Sequence, residues 1–376
     1  MRSLITRVLL VAAMAAAPLF AVIPEASAAS SVVYVSPGGS STQPDTSCRA
    51  AGFNSLQLAV NAVALHGTVY VCPGTFHQNV TVPKSLSLIG AHGAIIDAAG
   101  QPYGVGLAAD FVTVTGLTVE NAKGTNSDPS DGIITAGFVA GKPIAGNHET
   151  IVGNLLVGNA GAGVDLNSTT GSTALRNISI KNGIGINVSD DLGKPASHNL
   201  IFNNYASANP GGCGIVLAEH TGAGIFSNWV NGNTANANGL GTPSAPNASS
   251  GSGIILAGGS PKGGVYNNAI TRNFFIGNGH GGVALHAHVP KMNFSGNRIL
   301  WNWIGTNNLR TDFKDLKTTG IYLADASPLT ITVAGNFIYT NYYGVFTAGP
   351  VTATGLGFNV FRQVTTPLGS TPAYGG

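Results

Sequence analysis

Apolar and polar positions alternate in a short phrase that recurs along the chain: a glycine, an aliphatic residue, any residue and then usually a second aliphatic residue. Alternation with a period of two is typical of a half-buried β-strand. We therefore predict a short strand at each copy, with the aliphatic side chains facing inward. The six clear copies are Gly163–Leu166, Gly185–Val188, Gly214–Leu217, Gly253–Leu256, Gly282–Leu285 and Gly320–Leu323, and weaker copies begin at Gly104, Gly132 and Gly344.

A second phrase, asparagine-x-aliphatic-x-x-asparagine, follows most copies at a nearly constant distance. The interval from the glycine to the first asparagine is 14, 14, 14, 15, 15 and 16 residues in the six clear copies. Such units are too short for a strand–helix–strand crossover, so we predict that they stack as the rungs of a parallel coil. Asparagines at the same turn of successive rungs are expected to form a ladder. The pairs are Asn154/Asn159, Asn177/Asn182, Asn199/Asn204, Asn228/Asn233, Asn268/Asn273, Asn297/Asn302 and Asn336/Asn341.

The N-terminal part of the chain is predicted to cap this coil. The stretch "SLQLAVNAV", from Ser55 to Val63, has apolar positions at helical spacing, and a helix here would cover the open end. The strands "TVYVCPG" and "TVPKSLSLIG" then begin the stack. A disulfide between Cys48 and Cys72 would bridge this segment and leave Cys213 unpaired, although three cysteines do not fix the pairing.

The helix, the run "GTVYVCPGTFHQNVTVPKSLSLIG" and the asparagine- and glycine-rich rungs resemble secreted right-handed parallel β-helix proteins of the pectin-lyase-like superfamily. The resemblance covers roughly Val32 to Val364. It implies an all-β fold, a right-handed parallel β-helix (solenoid) with a short N-terminal capping helix. The expected segments are a signal peptide over 1–28, a cap segment over 29–66, the β-helix over 67–365 and a C-terminal tail over 366–376. Because this fold carries lyases, hydrolases, epimerases, phage tailspikes and noncatalytic proteins, it does not specify an activity.

Composition indicates where the protein works and which partners it excludes. Arg2 and Arg7, an apolar run and the small residues Ala26–Ala28 are typical of a secretory signal peptide, so we expect a secreted or periplasmic protein. No later apolar run is long enough for a membrane span in the mature chain. Removing two arginines and Glu25 takes the formal charge from +2 to +1, which is too small for a nucleic-acid-binding protein.

A groove is predicted along one side of the coil. Most length variation past residue 150 falls between the second asparagine of a rung and the next glycine, with the largest insertions over 234–252 and 303–319. Long loops stacked at one corner of a rigid coil are expected to wall a binding groove. The residues two and three positions past each glycine phrase would then face it: Ser168/Thr169, Asp190/Asp191, Glu219/His220, Gly258/Gly259, Ala287/His288 and Asp325/Ala326.

The acidic and histidine side chains on this line predict a carbohydrate-active site. A glycoside hydrolase needs two carboxyl groups that flank the scissile bond, and Asp190 or Asp191 with Glu219 would supply them, with His220 positioning one. A lyase acting on uronates instead needs a base and a cation that stabilises the enolate. The candidate catalytic residues are Asp190, Asp191, Glu219, His220 and His288, and the candidate substrate-binding residues are Asn187, His286, Tyr322, Asp325, Lys194 and Arg310.

Cofactor and metal chemistry remain open at this point. The acidic pairs have the oxygen ligands that Ca²⁺ prefers, in which case Lys194, Arg310, Lys314 or Lys317 would act as the base of a lyase. The spacing His286-x-His288 places two rings on one face of an extended segment, an arrangement that suits Zn²⁺ or Cu²⁺ if a third ligand joins it. No cofactor is assigned beyond these alternatives.

Together these features predict an extracellular carbohydrate-active β-helix protein. It would act as a polysaccharide lyase or a glycoside hydrolase on a polysaccharide or oligosaccharide bound in the groove. The alternative is a noncatalytic surface or cell-wall carbohydrate-binding β-helix protein, which a scarcity of basic residues in the groove would favour.

Overall fold

The computed structural model describes residues 29–124, 129–241, 251–310 and 317–372. The expected signal peptide, Lys314 and parts of both long insertions lie outside these ranges. Within them the chain winds into a coil whose short strands stack on three faces, each rung contributing about one strand to each face. The faces are named here the glycine sheet, the second sheet and the third face.

The glycine sheet contains the strand of every glycine phrase. Its eleven strands run parallel, and inward aliphatic residues of successive rungs pair directly, as Val164 does with Ile186 and Ile186 with Ile215. Each phrase therefore forms the predicted strand. The strands are Val80–Val82, Tyr103–Leu107, Asp131–Ile134, Ala162–Asn167, Ile184–Ser189, Ile215–Glu219, Ile254–Gly258, Val283–Ala287, Thr319–Ala324, Tyr343–Ala348 and Thr366–Thr371.

The second sheet has twelve parallel strands, most of three or four residues with a buried aliphatic residue at an inward position, such as Val114 or Ile151. They are Val32–Val35, Thr68–Val71, Ser87–Gly90, Thr113–Thr115, Thr150–Val152, Thr173–Leu175, Leu200–Phe202, Trp229–Asn231, Ala269–Thr271, Arg298–Leu300, Leu329–Ala334 and Val351–Thr354.

The third face is made of a six-stranded and a four-stranded parallel sheet, which Thr234 joins through bridges to Tyr205 and Phe274. Three further short strands stack at the corner between the glycine sheet and the second sheet. The third-face strands are Gly74–Phe76, Ala94–Asp97, Thr118–Glu120, Leu155–Val157, Ile178–Ile180, Tyr205–Ser207, Phe274–Phe275, Trp303–Ile304, Phe337–Tyr339 and Val360–Arg362, and the corner strands are Ala196–Ser197, Ile225–Phe226 and Val265–Tyr266. The predicted all-β parallel coil is confirmed.

One antiparallel hairpin, which the sequence analysis did not predict, leaves the coil after the strand Asp131–Ile134. Its strands Ala136–Val139 and Lys142–Ala145 pair with each other. Both residues of the turn have positive φ, 50° at Ala140 and 75° at Gly141, as a tight two-residue hairpin turn requires. The hairpin stands beside the outer surface of the glycine sheet, so it borders the cleft described below.

The repeated asparagines form three buried ladders, where the sequence analysis expected pairs at one turn. At each step a backbone N–H, and at many steps a side-chain amide as well, donates to the Oδ1 atom of the next rung; Asn177 donates both to Asn204, at 2.9 and 3.1 Å. The ladders are Asn199, Asn228, Asn268 and Asn297; Asn154, Asn177, Asn204, Asn233, Asn273, Asn302, Asn336 and Asn359; and Asn159, Asn182, Asn209, Asn238, Asn278, Asn307 and Asn341.

This arrangement corrects the position of the insertions. The recurring asparagine pair belongs to the second and third ladders at Asn154/Asn159, to the first and second ladders from Asn199/Asn204 to Asn297/Asn302, and again to the second and third ladders at Asn336/Asn341. Because the first asparagine of the pair lies in different ladders, a constant interval in sequence does not mean a constant length of chain between the same two corners. A second site of length variation therefore follows the glycine strand. The turns over 190–195 and 220–224 lie at that corner and carry several of the predicted site residues.

The N-terminal cap forms as predicted. The helix Leu56–Ala62 buries Leu56, Ala59 and Val60, and the hydroxyl of Ser55 accepts a hydrogen bond from the N–H of Leu58. Cys48, in a 3₁₀ turn over Cys48–Ala50, forms a disulfide with Cys72, and Cys213 is free and buried.

At the other end, a 3₁₀ turn spans Leu356–Phe358 and the strand Thr366–Thr371 pairs with Tyr343–Ala348. Residues 366–371, assigned to a tail from sequence, thus extend the glycine sheet. Among the described residues, no helix is long and apolar enough to cross a membrane.

Candidate functional site

An open cleft of about 550 Å³ lies on the outer side of the glycine sheet, over its early rungs. Its walls combine carboxyl and amide side chains with the apolar surface of the hairpin and of the turn after residue 191. The polar residues that line it are Ser130, Asp131, Asp165, Asn167, Asn187 and Asp191, and the larger apolar ones are Ile134, Phe138, Pro143, Ile184 and Leu192.

Asp165 occupies the variable position of its glycine phrase, which the alternation of the strand turns outward. Its strand neighbours are Ile134 on one rung and Asn187 on the other, and Asn187 Nδ2 donates to Asp165 Oδ1 at 3.0 Å. Burial raises the pKa of Asp165 well above its usual range, and the negative charges of Asp131 and Asp191 raise it further. The protonated form of Asp165 is therefore favoured.

Asp131 begins the strand on the preceding rung and is also buried. Its Oδ1 atom accepts a hydrogen bond of 2.6 Å from the backbone N–H of Ala162. Burial raises the pKa of Asp131 to about 7, this hydrogen bond lowers it in part, and the charge of Asp191 raises it. Asp131 thus exchanges its proton near neutral pH.

Asp191 lies at the solvent edge of the cleft and is paired with His220 from the next rung. His220 Nδ1 is 2.6 Å from Asp191 Oδ1, with 54% of the histidine side chain and 42% of the aspartate side chain exposed. Partial burial raises the pKa of Asp191, but the hydrogen bond and charge of His220 outweigh it and the net shift is downward. The same hydrogen bond is the main cause of the raised pKa of His220.

The cleft therefore holds three interacting carboxyl groups whose surroundings shift their pKa values in opposite directions, upward for Asp131 and Asp165 and downward for Asp191. It also contains an unsatisfied acceptor, because Asn167 Oδ1 is buried and has no hydrogen-bond partner among the residues that the structure describes. A buried polar atom without a partner is costly, and a ligand hydroxyl in the cleft would satisfy it.

Asp190 and Glu219, two of the predicted catalytic residues, are fully buried and hold turns. Asp190 Oδ1 accepts from the backbone N–H groups of His220 and Thr221, and its Oδ2 accepts from those of Ala223 and Gly224. Glu219 accepts from the N–H groups of Gly222 and Ser260. We therefore leave both out of the proposed catalytic set.

The predicted alignment of rungs is confirmed, since Glu219 pairs with Gly258 and Gly258 with Ala287. The first residue of each aligned pair nevertheless points inward. It lies two positions past an inward aliphatic residue and so shares the face of that residue. Asp190, Glu219 and Asp325 are buried for this reason, whereas Asp191, His220 and His288 come one position later and are exposed.

The three histidines of the segment 280–288 lie in two separate environments. His280 is buried, with its Nδ1 atom 2.7 Å from Ser252 Oγ, and burial lowers its pKa well below the usual range. His286 and His288 face each other on the outer surface, with their Nε2 atoms 3.2 Å apart. Neither ring lines the cleft.

The remaining predicted substrate-binding residues are dispersed, apart from Asn187. Tyr322, expected to be open to a sugar ring, is 4% exposed and stacks on Phe346 at a ring-centroid distance of 6.2 Å. Asp325 is buried and its Oδ1 accepts from the N–H of Ser327, while burial raises its pKa. Lys194 is exposed on the turn after Asp191, and the backbone of Arg310 binds Gly279, several rungs from the cleft.

Within the described part of the chain, one group of three residues could offer ligand atoms to a metal ion: Asp190, Asp191 and His220. One ligand atom from each of them lies within 4.8 Å of the others. Ca²⁺ takes six to eight oxygen ligands. Both oxygens of Asp190 already accept backbone hydrogen bonds, and Asp191 Oδ1 already binds His220. These residues consequently do not supply the set of oxygen ligands that Ca²⁺ needs.

Known structures share this architecture. The chain is similar to the mannuronan C-5 epimerase AlgE4 A-module of Azotobacter vinelandii, with 16% identity, a TM-score of 0.55 and coverage of 84% of this chain and 94% of that one. For pectate lyase Pel9A the identity is 16%, the TM-score 0.54 and the coverage 90% and 78%. For PfbA, a surface adhesin of Streptococcus pneumoniae, the identity is 13%, the TM-score is 0.53, and the match covers 83% of this chain and 87% of that one. The chain thus has the fold of a right-handed parallel β-helix protein.

A family model adds one sequence-level match. Residues 116–264 match the family described as periplasmic copper-binding protein (NosD). A comparison with curated proteins found no match. The matched span contains the cleft carboxyl groups but not His286 or His288.

Sequence reasoning missed Asp131 and Asp165. A usable signal existed for Asp165, because the variable position of the glycine phrase must face outward on a half-buried strand. That position is acidic only here among the six clear copies, and the next copy has Asn187. For Asp131 no comparable signal existed. Asp131 is the first residue of its strand, so the position of its side chain depends on the path of residues 129–130 into the strand.

Proposed function

We propose that the protein is an extracellular carbohydrate-active enzyme that hydrolyses a glycosidic bond in the cleft of Asp131, Asp165 and Asp191. The observation that carries this proposal is that three carboxyl groups line one cleft and that their surroundings shift their pKa values in opposite directions. Neighbouring titratable groups whose environments push their pKa values apart mark acid and base roles. Glycoside hydrolysis needs this combination of one protonated and one ionised carboxyl group.

The roles follow from the individual environments. Asp131, with a pKa of about 7, suits a general acid near neutral pH and donates its proton to the glycosidic oxygen as the bond to the anomeric carbon breaks. Ionised Asp191 accepts a proton from water, whose oxygen bonds to that carbon. His220 positions Asp191 through their 2.6 Å contact. Asp165, held by Asn187, presents its remaining oxygen to a sugar hydroxyl.

A neutral sugar suits this cleft better than a uronate. Three carboxyl groups lie in the wall, and no lysine or arginine is among the described residues that line it, so a uronate carboxylate would meet like charge without a counter-ion. Asn167 Oδ1 is available as a hydrogen-bond acceptor for a hydroxyl. Phe138, 47% exposed on the hairpin, offers an apolar surface for a pyranose ring.

The same scarcity of basic residues bears on the two alternatives. Lyase chemistry needs a group that neutralises the uronate carboxylate and a base for the adjacent proton, and the described lining favours hydrolysis instead. The absence of lysine and arginine from the described lining also meets the condition that favours a noncatalytic binding protein, and a surface adhesin is one protein with this fold. The disulfide Cys48–Cys72 supports a location outside the reducing cytoplasm.

The test is an activity screen on neutral and acidic polysaccharides, with release of reducing ends and absorbance of unsaturated uronates measured separately. We expect reducing ends from a neutral glycan and no unsaturated product. Asp131→Asn and Asp191→Asn should each lower the rate by roughly 10²- to 10⁴-fold. Asp97→Asn is the matched control, because Asp97 binds His77 and Asn121 on the third face and should leave activity unchanged.

Two outcomes would contradict the proposal. Unsaturated uronate as the sole product would assign lyase chemistry. Binding of a glycan without any product, at equal affinity in the wild type and in Asp131→Asn, would assign a noncatalytic binding protein.

A further inference from the structure

A pair of histidines stands apart from the cleft on the outer surface of the glycine sheet. His286 and His288 alternate on the strand Val283–Ala287 and its continuation, so both rings project from the same face. Their Nε2 atoms are 3.2 Å apart, the ring centroids are 4.6 Å apart and the ring planes are nearly perpendicular, at 89°. The two Nε2 atoms are thus closer to each other than the ring centres are.

This separation matches two ligands on one metal ion. Imidazole nitrogens bind Zn²⁺ at about 2.0–2.1 Å, so two of them in tetrahedral or square arrangement lie roughly 2.9–3.4 Å apart. An ion at bonding distance from both nitrogens of this pair would see them at an angle of about 100°.

The two ring nitrogens of His286 differ in their surroundings. Its Nδ1 atom is buried and has no hydrogen-bond partner among the residues that the structure describes, whereas its Nε2 atom contacts Nε2 of His288. The residues paired with His286 on the neighbouring strands are Ala257 and Ala324, whose small side chains leave the space above the sheet uncrowded. His288 is exposed, which opens the pair to solvent.

We propose that His286 and His288 chelate a divalent transition-metal ion of the Zn²⁺ class through their two Nε2 atoms, with water or a further ligand in the remaining positions. Neutral imidazole is a ligand for Zn²⁺, Ni²⁺ and Cu²⁺ and not for Ca²⁺ or Mg²⁺. The site is separate from the acidic cleft, because two strands of the glycine sheet lie between the nearest cleft strand, Ile184–Ser189, and the strand Val283–Ala287. It also lies outside residues 116–264, which match the copper-binding family model.

Isothermal titration of the full mature protein with ZnCl₂, and separately with NiCl₂, tests the site. We expect one ion per chain in the wild type, no competition by an excess of CaCl₂, and affinity lower by on the order of 100-fold in His288→Ala. His286→Ala should behave in the same way, and circular dichroism checks that it folds. Because His288 is exposed, its variant carries the test even if the variant of the more buried His286 fails to fold.

The matched control is His220→Gln, which removes the histidine from the group of Asp190, Asp191 and His220. It should bind Zn²⁺ like the wild type. Unchanged affinity in His288→Ala, or loss of binding in His220→Gln, would overturn the proposal. Since the readout is binding of the ion alone, the result does not depend on whether the cleft proves to be catalytic.

Discussion

His220 Nδ1 lies 2.6 Å from Asp191 Oδ1, and this contact joins the turns of two neighbouring rungs at the edge of the acidic cleft. The hydrogen bond lowers the pKa of Asp191 and raises the pKa of His220. It keeps one carboxyl group ionised beside two whose pKa values are raised by burial. The proposed chemistry depends on this difference.

The first prediction concerns the pH dependence of this pair. The lowered pKa of Asp191 stabilises the folded protein above about pH 3.9, and this stability is lost as the pH falls through the folded pKa of Asp191. The raised pKa of His220 stabilises the folded protein below about pH 6.5, and this stability is lost as the pH rises through the folded pKa of His220. The melting temperature of His220→Gln should therefore fall furthest below that of the wild type between about pH 4 and 6.5. A gap that is constant from pH 4 to 9 would contradict the ion pair. The control is His198→Gln, since His198 lies on another turn, directly before Asn199.

Asp190 is predicted to act in stability and not in catalysis. Its carboxylate accepts hydrogen bonds from four backbone N–H groups of the turn 220–224, so Asp190→Ala leaves buried donors unsatisfied. We expect the free energy of unfolding to fall by about 3–5 kcal/mol in urea titration. The variant Asp191→Asn, at the neighbouring half-exposed position, should lower the free energy of unfolding by less than about 1 kcal/mol. Equal losses in the two variants would show that the turn does not depend on Asp190.

The asparagine ladders are predicted to be a major source of rigidity. Asn204 donates to Ala174 O and Asn233 Oδ1 and accepts two hydrogen bonds from Asn177, all in the buried interior. Asn204→Ala should lower the free energy of unfolding by about 2–4 kcal/mol. Asn61→Ala, on the exposed side of the capping helix, is the comparison and should cost less than about 0.5 kcal/mol. A similar small cost at both positions would rule out a stabilising ladder.

Cys213 is predicted to be an unreactive thiol in the folded protein. It is buried, with 9% of its surface exposed, and burial raises its pKa to about 11, which suppresses the reactive thiolate. A thiol-reactive chromogenic reagent should detect almost no thiol in the native protein and one thiol per chain in denaturant. Two or three thiols in denaturant without reductant would mean that Cys48 and Cys72 are not bonded.

Most of the fold followed from sequence because its signals are local and repeated. The glycine phrase fixes a strand and its inward face in each rung, and the capping helix from Ser55 to Val63 has its own periodicity. The three ladders were harder to separate, because an asparagine in any one of them has the same local sequence as in another. The hairpin over 136–145 carries no repeat, so nothing marked it.

The candidate site was predicted only in part, and one reason is the alternation of a strand past its last aliphatic residue. Continuing the alternation from Val188 places Asp190 inward and Asp191 outward, which separates a turn cap from a cleft residue. Asp191, His220 and Asn187 remain in or beside the cleft. Asp131 joins them only through the path of the chain in three dimensions, which no spacing in the sequence encodes.

Carbon-13 NMR of the aspartate side-chain carboxyl groups, titrated from pH 3 to 9 and assigned with the variants Asp131→Asn, Asp165→Asn and Asp191→Asn, tests the central claim most directly. We expect Asp131 to titrate near pH 7, Asp165 to stay protonated above the usual aspartate range, and Asp191 to titrate below that range. Titration of all three groups near about pH 3.9, the value of a free aspartate, would contradict it.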